Sequence, residues 1–327
     1  MDRVVVTGGA GYIGSHVCKA LAERGLQPVA VDDLRTGRRD AVRWGPLEQV
    51  SVLDMAAFTA VLERHRPLAV LHLAGLIMAG ESVERPLDYY ADNVGGMISV
   101  LQAMTAADIR ILVFSSTASI YGVPQTCPVA EDAPLAPINP YGASKAMCER
   151  IIADCAARTG LQSIALRYFN ACGADKDGGI GEMHRPETHL VPLAIRAALD
   201  PGFVLDVLGT DYDTPDGTGI RDYVHVSDIA AAHVLAFDHL RAGGLGQPLN
   251  LGTGTGFSVR EIVAEVERQT GCRVKVREKP RRPGDTPVLV ADSTLARQVL
   301  GWKAGHSTLA AMVGSACVWH RAAGWAD

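Results

Sequence analysis

Tyr141 and Lys145 stand four residues apart, with Ser115-Ser116-Thr117 upstream. On a helix, that spacing puts a phenol and an ammonium on one face. A phenol titrates near 10, so it is a base at neutral pH only where positive charge stabilises the phenolate; a lowering of about three units corresponds to about 4 kcal/mol. Alone, the pair equally suits an exposed helix. Its place gives it weight, because Thr117 ends an apolar run and open α/β sheets bind ligands beyond the carboxyl ends of their strands. A hydroxyl there can bond a substrate oxygen and relay its proton, or merely satisfy loose backbone.

Near the amino terminus, Thr7-Gly8-Gly9-Ala10-Gly11-Tyr12-Ile13-Gly14 places glycines at a spacing of three. After a strand and before a helix, such glycines allow a tight turn, close approach of a pyrophosphate and close helix–strand packing. The helix amino terminus offers free amides and the positive end of its dipole. Asp32 lies 18 positions beyond Gly14, at the end of the second strand. Its carboxylate suits ribose hydroxyls and, with Asp33, repels a 2′-phosphate. NAD is therefore expected over NADP, although Arg35 could hold such a phosphate.

Short β-branched runs position these groups: Arg3–Thr7, Pro28–Asp32, Gln49–Leu53, Leu68–Leu73, Arg110–Ser115 and Gln162–Arg167. Each is apolar nearly throughout, as in strands covered on both faces. Amphipathic stretches separate them, including Tyr90, Val94, Met97, Leu101 and Met104, then Met147, Ile151 and Cys155. The alternation predicts an α/β fold, a doubly wound parallel (Rossmann) sheet with right-handed crossovers. Residues 171–188 and 209–219 read as long loops. A helix (226–240) and a strand (248–251) then return, and the last ~75 residues read as a smaller, partly interleaved α/β lobe. The expected division is a dinucleotide-binding domain over 1–170, with returning elements about 222–252, and a substrate lobe over 171–327.

Composition narrows the class. The 327 residues are 48% hydrophobic and 20% charged with net charge −5, which excludes a disordered chain and argues against broad nucleic-acid binding. No apolar run is long enough to span a bilayer. The amino terminus lacks a signal-peptide pattern, so no membrane association is expected. Seven scattered cysteines without C-x-x-C fit a reducing cytoplasm. The ten histidines show no zinc-binding spacing; His184 and His189 lie in a Gly-rich loop, and no metal is expected.

The glycine turn, Ser115-Ser116-Thr117, Tyr141-x-x-x-Lys145 and Arg167-Tyr168-Phe169-Asn170 together resemble the extended short-chain dehydrogenase/reductase family. Five segments narrow the resemblance to its UDP-sugar 4-epimerase branch, nearly end to end. They are Gly11-Tyr-Ile-Gly-Ser-His16, Ala74-Gly-Leu76, Ala79-Gly-Glu-Ser-Val83, Gly217-Thr-Gly219 with Arg221-Asp-Tyr-Val-His225, and Arg281-Arg-Pro-Gly-Asp285. The resemblance implies interconversion of UDP-galactose and UDP-glucose. NAD takes a hydride from sugar C4, the 4-keto sugar turns over, and the hydride returns to its other face. It implies Tyr141 as base, Lys145 as the group that lowers its pKa and holds the nicotinamide ribose, and Thr117 on the 4-oxygen. By the same resemblance, Gly8, Gly11, Tyr12, Ile13, Gly14, Asp32, Asp33, Leu53, Ala74, Asn93, Ser115, Tyr141, Lys145 and Tyr168 contact the cofactor. Thr117, Tyr141, Asn170, His189, Leu190, Arg221, Arg282, Asp285 and Leu289 contact the UDP-sugar. The two arginines are placed on the diphosphate and Asp285 on a ribose hydroxyl.

The chain departs from relatives at several positions. Thr117 replaces the usual serine, which adds a methyl that restricts its rotamer. Ser51-Val52 stands where many relatives have Gly-Asp, and Ile77 where some carry lysine. Leu289 is intermediate between the bulky tyrosine that limits relatives to plain hexoses and the small residue that admits N-acetyl groups. UDP-N-acetylhexosamines and UDP-pentoses therefore stay open as substrates. A 4,6-dehydratase needs acids after Thr117, where this chain has Ala118 and Ser119. A non-catalytic NAD(H) sensor is the alternative of another class, but such proteins typically lose the tyrosine or lysine. Relatives dimerise through the helices containing 90–104 and 147–155, which predicts a homodimer. Trp302, Trp319 and Trp325 are expected to pack the terminal lobe.

Overall fold

The computed structural model describes residues 1–282 and 285–325. Its strands are β1 (Arg3–Thr7), β2 (Gln27–Val31), β3 (Leu47–Glu48), β4 (Ala69–His72), β5 (Ile111–Thr117), β6 (Gln162–Tyr168) and β7 (Asn170–Cys172), then β8 (Leu205–Leu208), β9 (Ile220–His225), β10 (Leu249–Leu251), β11 (Gly256–Ser258), β12 (Val276–Lys279) and β13 (Val288–Leu289). Seven of them form one parallel sheet in the order β3-β2-β1-β4-β5-β6-β10. Strand order reverses between β1 and β4, and ligands of doubly wound sheets bind at such a point. The third strand differs from expectation. It covers only Leu47–Glu48, because Ser51 and Asp54 turn the chain into the next helix, with Asp54 Oδ1 accepting from Ala57 N at 3.0 Å.

The helices are α1 (Tyr12–Glu23), α2 (Met55–His65), α3 (Ala79–Glu84), α4 (Pro86–Tyr89), α5 (Gly95–Ala106), α6 (Pro140–Thr159), α7 (Leu190–Leu199), α8 (Val226–Arg241), α9 (Val259–Thr270), α10 (Thr294–Leu300) and α11 (Leu309–Ala323). One face of the sheet packs on α2, α5 and α6 through Phe58, Val61, Met97, Met104, Cys148 and Ile152. The other packs on α1, α8 and α10 through Val17, Leu21, Ile229, Phe237 and Leu300. Both faces are thus covered, as the unbroken apolar strands require.

The smaller lobe has its own core, where α7, α9 and α11 meet around Ile195, Ile262, Val266 and Met312. β9 pairs with β7, β11 and β13 in a separate sheet, so the return to the first half begins at α8 and not at residue 222. Trp302 is a further correction. It packs the first core, not the terminal lobe, and its Nε1 donates to Asp228 O at 2.8 Å.

The stripe predicted along residues 90–104 is a buried face from Val94 on, with one local difference. Residues Tyr90–Val94 form a π turn that continues into α5, while Met97, Leu101 and Met104 bury against the sheet. Outward-facing apolar residues of this region are instead Leu87, Ile98 and Met147. In the basic stretches 35–43 and 277–282, Arg35 pairs with Asp33 and Asp92, Arg38 with Asp40, Arg277 with Asp206 and Arg281 with Asp211. Among the described residues, no helix is long and apolar enough to cross a membrane.

Candidate active site

Backbone contacts dictate the glycine turn. Gly8 has φ +69°, and a Cβ there would meet Ala74 N at 2.8 Å; one on Gly14 would meet Gly8 O at 2.0 Å. Gly11 is different. Its φ is −81° and the nearest atom to an added Cβ is Gly8 O at 3.2 Å, so the fold alone asks little of it. Its missing side chain leaves the outside of the turn open at the N-cap of α1, where no side chain caps the helix. The first-turn amides of Tyr12 and Ile13 have no intrahelical acceptors by helix geometry. Open surface, free amides and a positive dipole end suit a dinucleotide diphosphate.

Asp32 ends β2 beside this turn, accepting from Ala10 N at 3.1 Å and Leu34 N at 2.9 Å. Burial raises its pKa and these amides oppose the rise. Arg35, the residue that could favour a 2′-phosphate, lies between Asp33 and Asp92, bonded to the latter at 2.9 and 2.7 Å. Two carboxylates already compensate its charge, which supports a ribose with a free 2′-hydroxyl. Ala74 follows β4 and its amide donates to Thr7 Oγ1 at 3.2 Å, while Leu53 is exposed. Asn93 is buried in the π turn and committed to protein: Oδ1 accepts from Leu76 N at 2.8 Å, and Nδ2 donates to Ser144 Oγ at 2.9 Å. It fixes the loop after β4 against α6.

Asn139 caps α6 by accepting from Gly142 N at 2.8 Å, and Pro140 takes the first helical position. That start sets Tyr141 in the first turn. Its hydroxyl faces the Thr117 side chain at the end of β5. Burial raises the phenol above its ordinary 10, and the Thr117 hydroxyl acts to lower it. Lys145 shares this helix with Tyr141, as the spacing implies, and its ammonium has a backbone partner. Its Nζ donates to Ser115 O at 3.0 Å and lies 4.9 Å from the Phe114 ring centre, while burial lowers its own pKa. A buried ammonium takes the nearest carbonyl, and burial, not Lys145, dominates the phenol here.

Ser115 turns inward, its Oγ 3.0 Å from His233 Nε2, and acts to lower the Tyr168 phenol that burial pushes up. Sequence reasoning missed His233, which stands on α8 more than a hundred residues away with no spacing to signal it. It also missed a buried network behind the site. Glu149 bonds Arg167 at 2.6 Å and Ser116 Oγ at 2.5 Å, and Arg167 donates to Tyr121 Oη at 2.9 Å. Glu149 lies one turn beyond Lys145, the only sequence signal available.

In the smaller lobe, Arg221 on β9 pairs with Asp285 at 2.5 Å, and Tyr212 Oη donates to Asp285 at 3.4 Å. Leu289 sits opposite Arg221 in β13 and packs with Ala118, Phe169 and Ala291, next to Thr117 and Asn170. Asn170 begins β7, half-buried. Arg282 is exposed, and no described contact joins it to Arg221. Gly284, its neighbour in the signature, lies outside the described residues. His189 takes the N-cap position of α7 without a side-chain capping bond, and Leu190 opens the helix, packing on the lobe core.

The loop before α7 brings His184 and His189 together with Glu182 and Glu187. These carboxylates raise the imidazoles to about 9 and about 10 against the effect of burial. Tyr12 reaches from the glycine turn to this loop, its hydroxyl donating to Gly173 O at 2.6 Å.

Residues 4–252 match the NAD dependent epimerase/dehydratase family, and the chain belongs to it. It is an NAD-dependent enzyme of that family's isomerase type. The UDP-glucose 4-epimerase of Rhizobium meliloti (strain 1021) is 49% identical over 319 residues, covering 98% of this chain and 97% of that protein. The structure of UDP-glucose 4-epimerase from Brucella ovis in complex with NAD is 48% identical, with TM-score 0.95, and covers 97% of this chain and 98% of that one. A UDP-glucose-4-epimerase from Stenotrophomonas maltophila, solved with NAD and formylated UDP-arabinopyranose, is 43% identical, with TM-score 0.95 and 99% of both chains covered.

Proposed function

We propose that this chain interconverts UDP-galactose and UDP-glucose. The observation that carries the reading is the Thr117–Tyr141 hydroxyl pair at the end of β5, followed by Ala118 and Ser119 with no acid. A proton can leave a sugar 4-hydroxyl there, but no carboxylate stands by to work on C5 or C6. Bound NAD supplies the acceptor and donor of the C4 hydride. Gly8, Gly11 and Gly14 with the amides of Tyr12 and Ile13 seat its diphosphate, and Asp32 accepts from its adenosine ribose.

Tyr141 takes the 4-hydroxyl proton and returns it, while Thr117 orients that oxygen. Lys145, on Ser115 O, brings positive charge to the end of β5, where a charged nicotinamide would add to it and oppose the burial that keeps the phenol protonated. Arg221 and Arg282 hold the UDP diphosphate, Asp285 the uridine ribose, and Asn170, His189 and Leu190 complete the lobe's contact. The Arg221–Asp285 pair must loosen or share its guanidinium as the diphosphate enters.

Leu289 supports a second reading, the same epimerisation on UDP-pentoses or UDP-N-acetylhexosamines. It packs beside Ala118 and Phe169 next to the reacting hydroxyls, and its size falls between those that exclude and admit an N-acetyl group. A cytoplasmic homodimer completes the proposal. Leu87, Ile98 and Met147 supply its apolar face, and a sedimentation mass of one chain would refute the dimer.

The test is incubation of the purified protein with UDP-galactose and UDP-N-acetylgalactosamine together, without added NAD, followed by proton NMR. Formation of UDP-glucose is expected. Failure on both sugars, persisting after NAD is added, would overturn the substrate assignment and bring pentoses or a sensor role forward.

A further inference from the structure

Four donor atoms converge in the loop before α7. Glu182, His184, Glu187 and His189 each offer one, all within 4.8 Å of one another. His189 Nδ1 lies 2.7 Å from Glu182 Oε1 and 3.1 Å from Glu187 Oε1. His184 Nδ1 lies 3.1 Å from Glu182 Oε1 and 3.7 Å from Glu187 Oε2. A tetrahedral ion with bonds of about 2.0–2.1 Å holds its ligand atoms about 3.4 Å apart. The separations lie on either side of that value, with Glu187 turning Oε1 to His189 and Oε2 to His184, of which an ion would take one.

Hydrogen bonding explains the cluster less completely. Glu187 Oε2 is buried without a hydrogen bond, and 3.7 Å from an imidazole nitrogen is beyond hydrogen-bond range but within reach for two ligands of one ion. His320 is buried nearby with neither ring nitrogen bonded, and it feels the charge of Glu182 and Glu187.

We propose that Glu182, His184, Glu187 and His189 bind a late first-row divalent cation, zinc in the first instance, which clamps the loop between β7 and α7. Imidazole with carboxylate suits zinc, whereas calcium and magnesium take oxygen ligands alone. Two carboxylates neutralise the ion, so it can sit in a largely buried site without net charge. Around the ligands, Trp319 Nε1 donates to Glu182 O at 2.8 Å, and the His184 ring meets Tyr12 edge-on at 6.1 Å. The loop that would hold the ion thus rests against both the smaller lobe and the glycine turn. The ion orders the loop that, in the proposed function, presents His189 and Leu190 to the UDP-sugar, and none of its ligands belongs to the Thr117–Tyr141 pair.

The test uses the full chain with its exposed thiols removed (Cys127→Ser, Cys272→Ser), since free cysteines also bind zinc. The protein is stripped with chelator, given one equivalent of zinc sulfate and desalted, and retained metal is measured by mass spectrometry. About one zinc per chain and a raised Tm are expected, with both lost when His184→Gln and Glu187→Gln are added. No retained zinc, or equal retention by the added variant, overturns the proposal. Should that variant fail to fold, cobalt(II) bound to the parent protein decides: tetrahedral visible bands without a sulfur-to-metal band support the site, and their absence overturns it.

Discussion

Gly14 in the first half and Arg221 in the second are held in place by opposite means. Gly14 is fixed by backbone: its hydrogen faces Gly8 O, which leaves no room for a side chain. Around it, Asp32 binds two amides, and Thr7 Oγ1 accepts from Leu73 and Ala74 N while contacting His72 at 2.7 Å. Arg221 is fixed by charge, through an ion pair with Asp285. The same lobe carries Arg281–Asp211 and the Glu182–His184–Glu187–His189 cluster. Backbone geometry pre-forms a site, which suits a cofactor that need not leave between turnovers. Side-chain ion pairs hold a site ready but let an incoming diphosphate replace a carboxylate, which suits a substrate that must enter, turn and leave.

The largest expected effect lies where the halves meet. Tyr141→Phe should lower epimerisation by about 10²–10⁴-fold, since the proton loses its acceptor, a far larger fall than any in NAD content, to which Tyr141 adds one contact among many. Retained activity would remove Tyr141 from the chemistry. Gly14→Ala should cost about 1–3 kcal/mol or more in denaturant unfolding and reduce co-purified NAD, because its Cβ meets a backbone oxygen. Gly80→Ala, with nothing within 4 Å, is the neutral control. A mild effect at Gly14 would break the claim that backbone sets the first half.

Arg221→Ala should raise KM for the UDP-sugar about 10- to 100-fold with kcat nearly kept, as expected for one charge-assisted contact made in both ground and transition states. An equal fall in kcat would place Arg221 closer to the chemistry.

Acid should reveal the first half's neutral interior. Burial lowers His72 to about 3 and His233 to about 4. The unfolded chain binds these protons near 6.5 and the folded chain does not. Stability from each group is therefore complete above about 6.5 and falls as pH drops toward 4, by up to about 1.4 kcal/mol per unit. Chemical unfolding at pH 7 and pH 5 should show a smaller loss in His233→Gln than in the parent. Equal losses would show that His233 does not contribute. The smallest effect belongs to Arg35→Ala, whose exposed bridge to Asp92 should change stability by less than about 1 kcal/mol.

Local pattern made much of the first half legible. Apolar runs place β1, β2, β4, β5 and β6 because a strand covered on both faces has no polar side to interrupt it. The glycine spacing and Tyr141-x-x-x-Lys145 were readable because each acts within one turn or one helix. β3 was misplaced since a two-residue edge strand has no period. His233, the Glu149–Arg167 pair and the cluster of residues 182–189 were not legible as sites, for different reasons. The first two depend on packing between distant elements. The cluster depends on how a loop without regular structure folds back on itself.

By itself, then, the sequence determined the alternation of strands and helices, the cofactor turn and the identity of the phenol and hydroxyl that meet at β5. Only the tertiary structure decided where Lys145 directs its ammonium, that Asn93 serves the loop after β4, and that Asp285 holds Arg221. Periodicity and short motifs encode what neighbours along the chain do, whereas a buried charge takes whichever partner packing brings within a few ångströms.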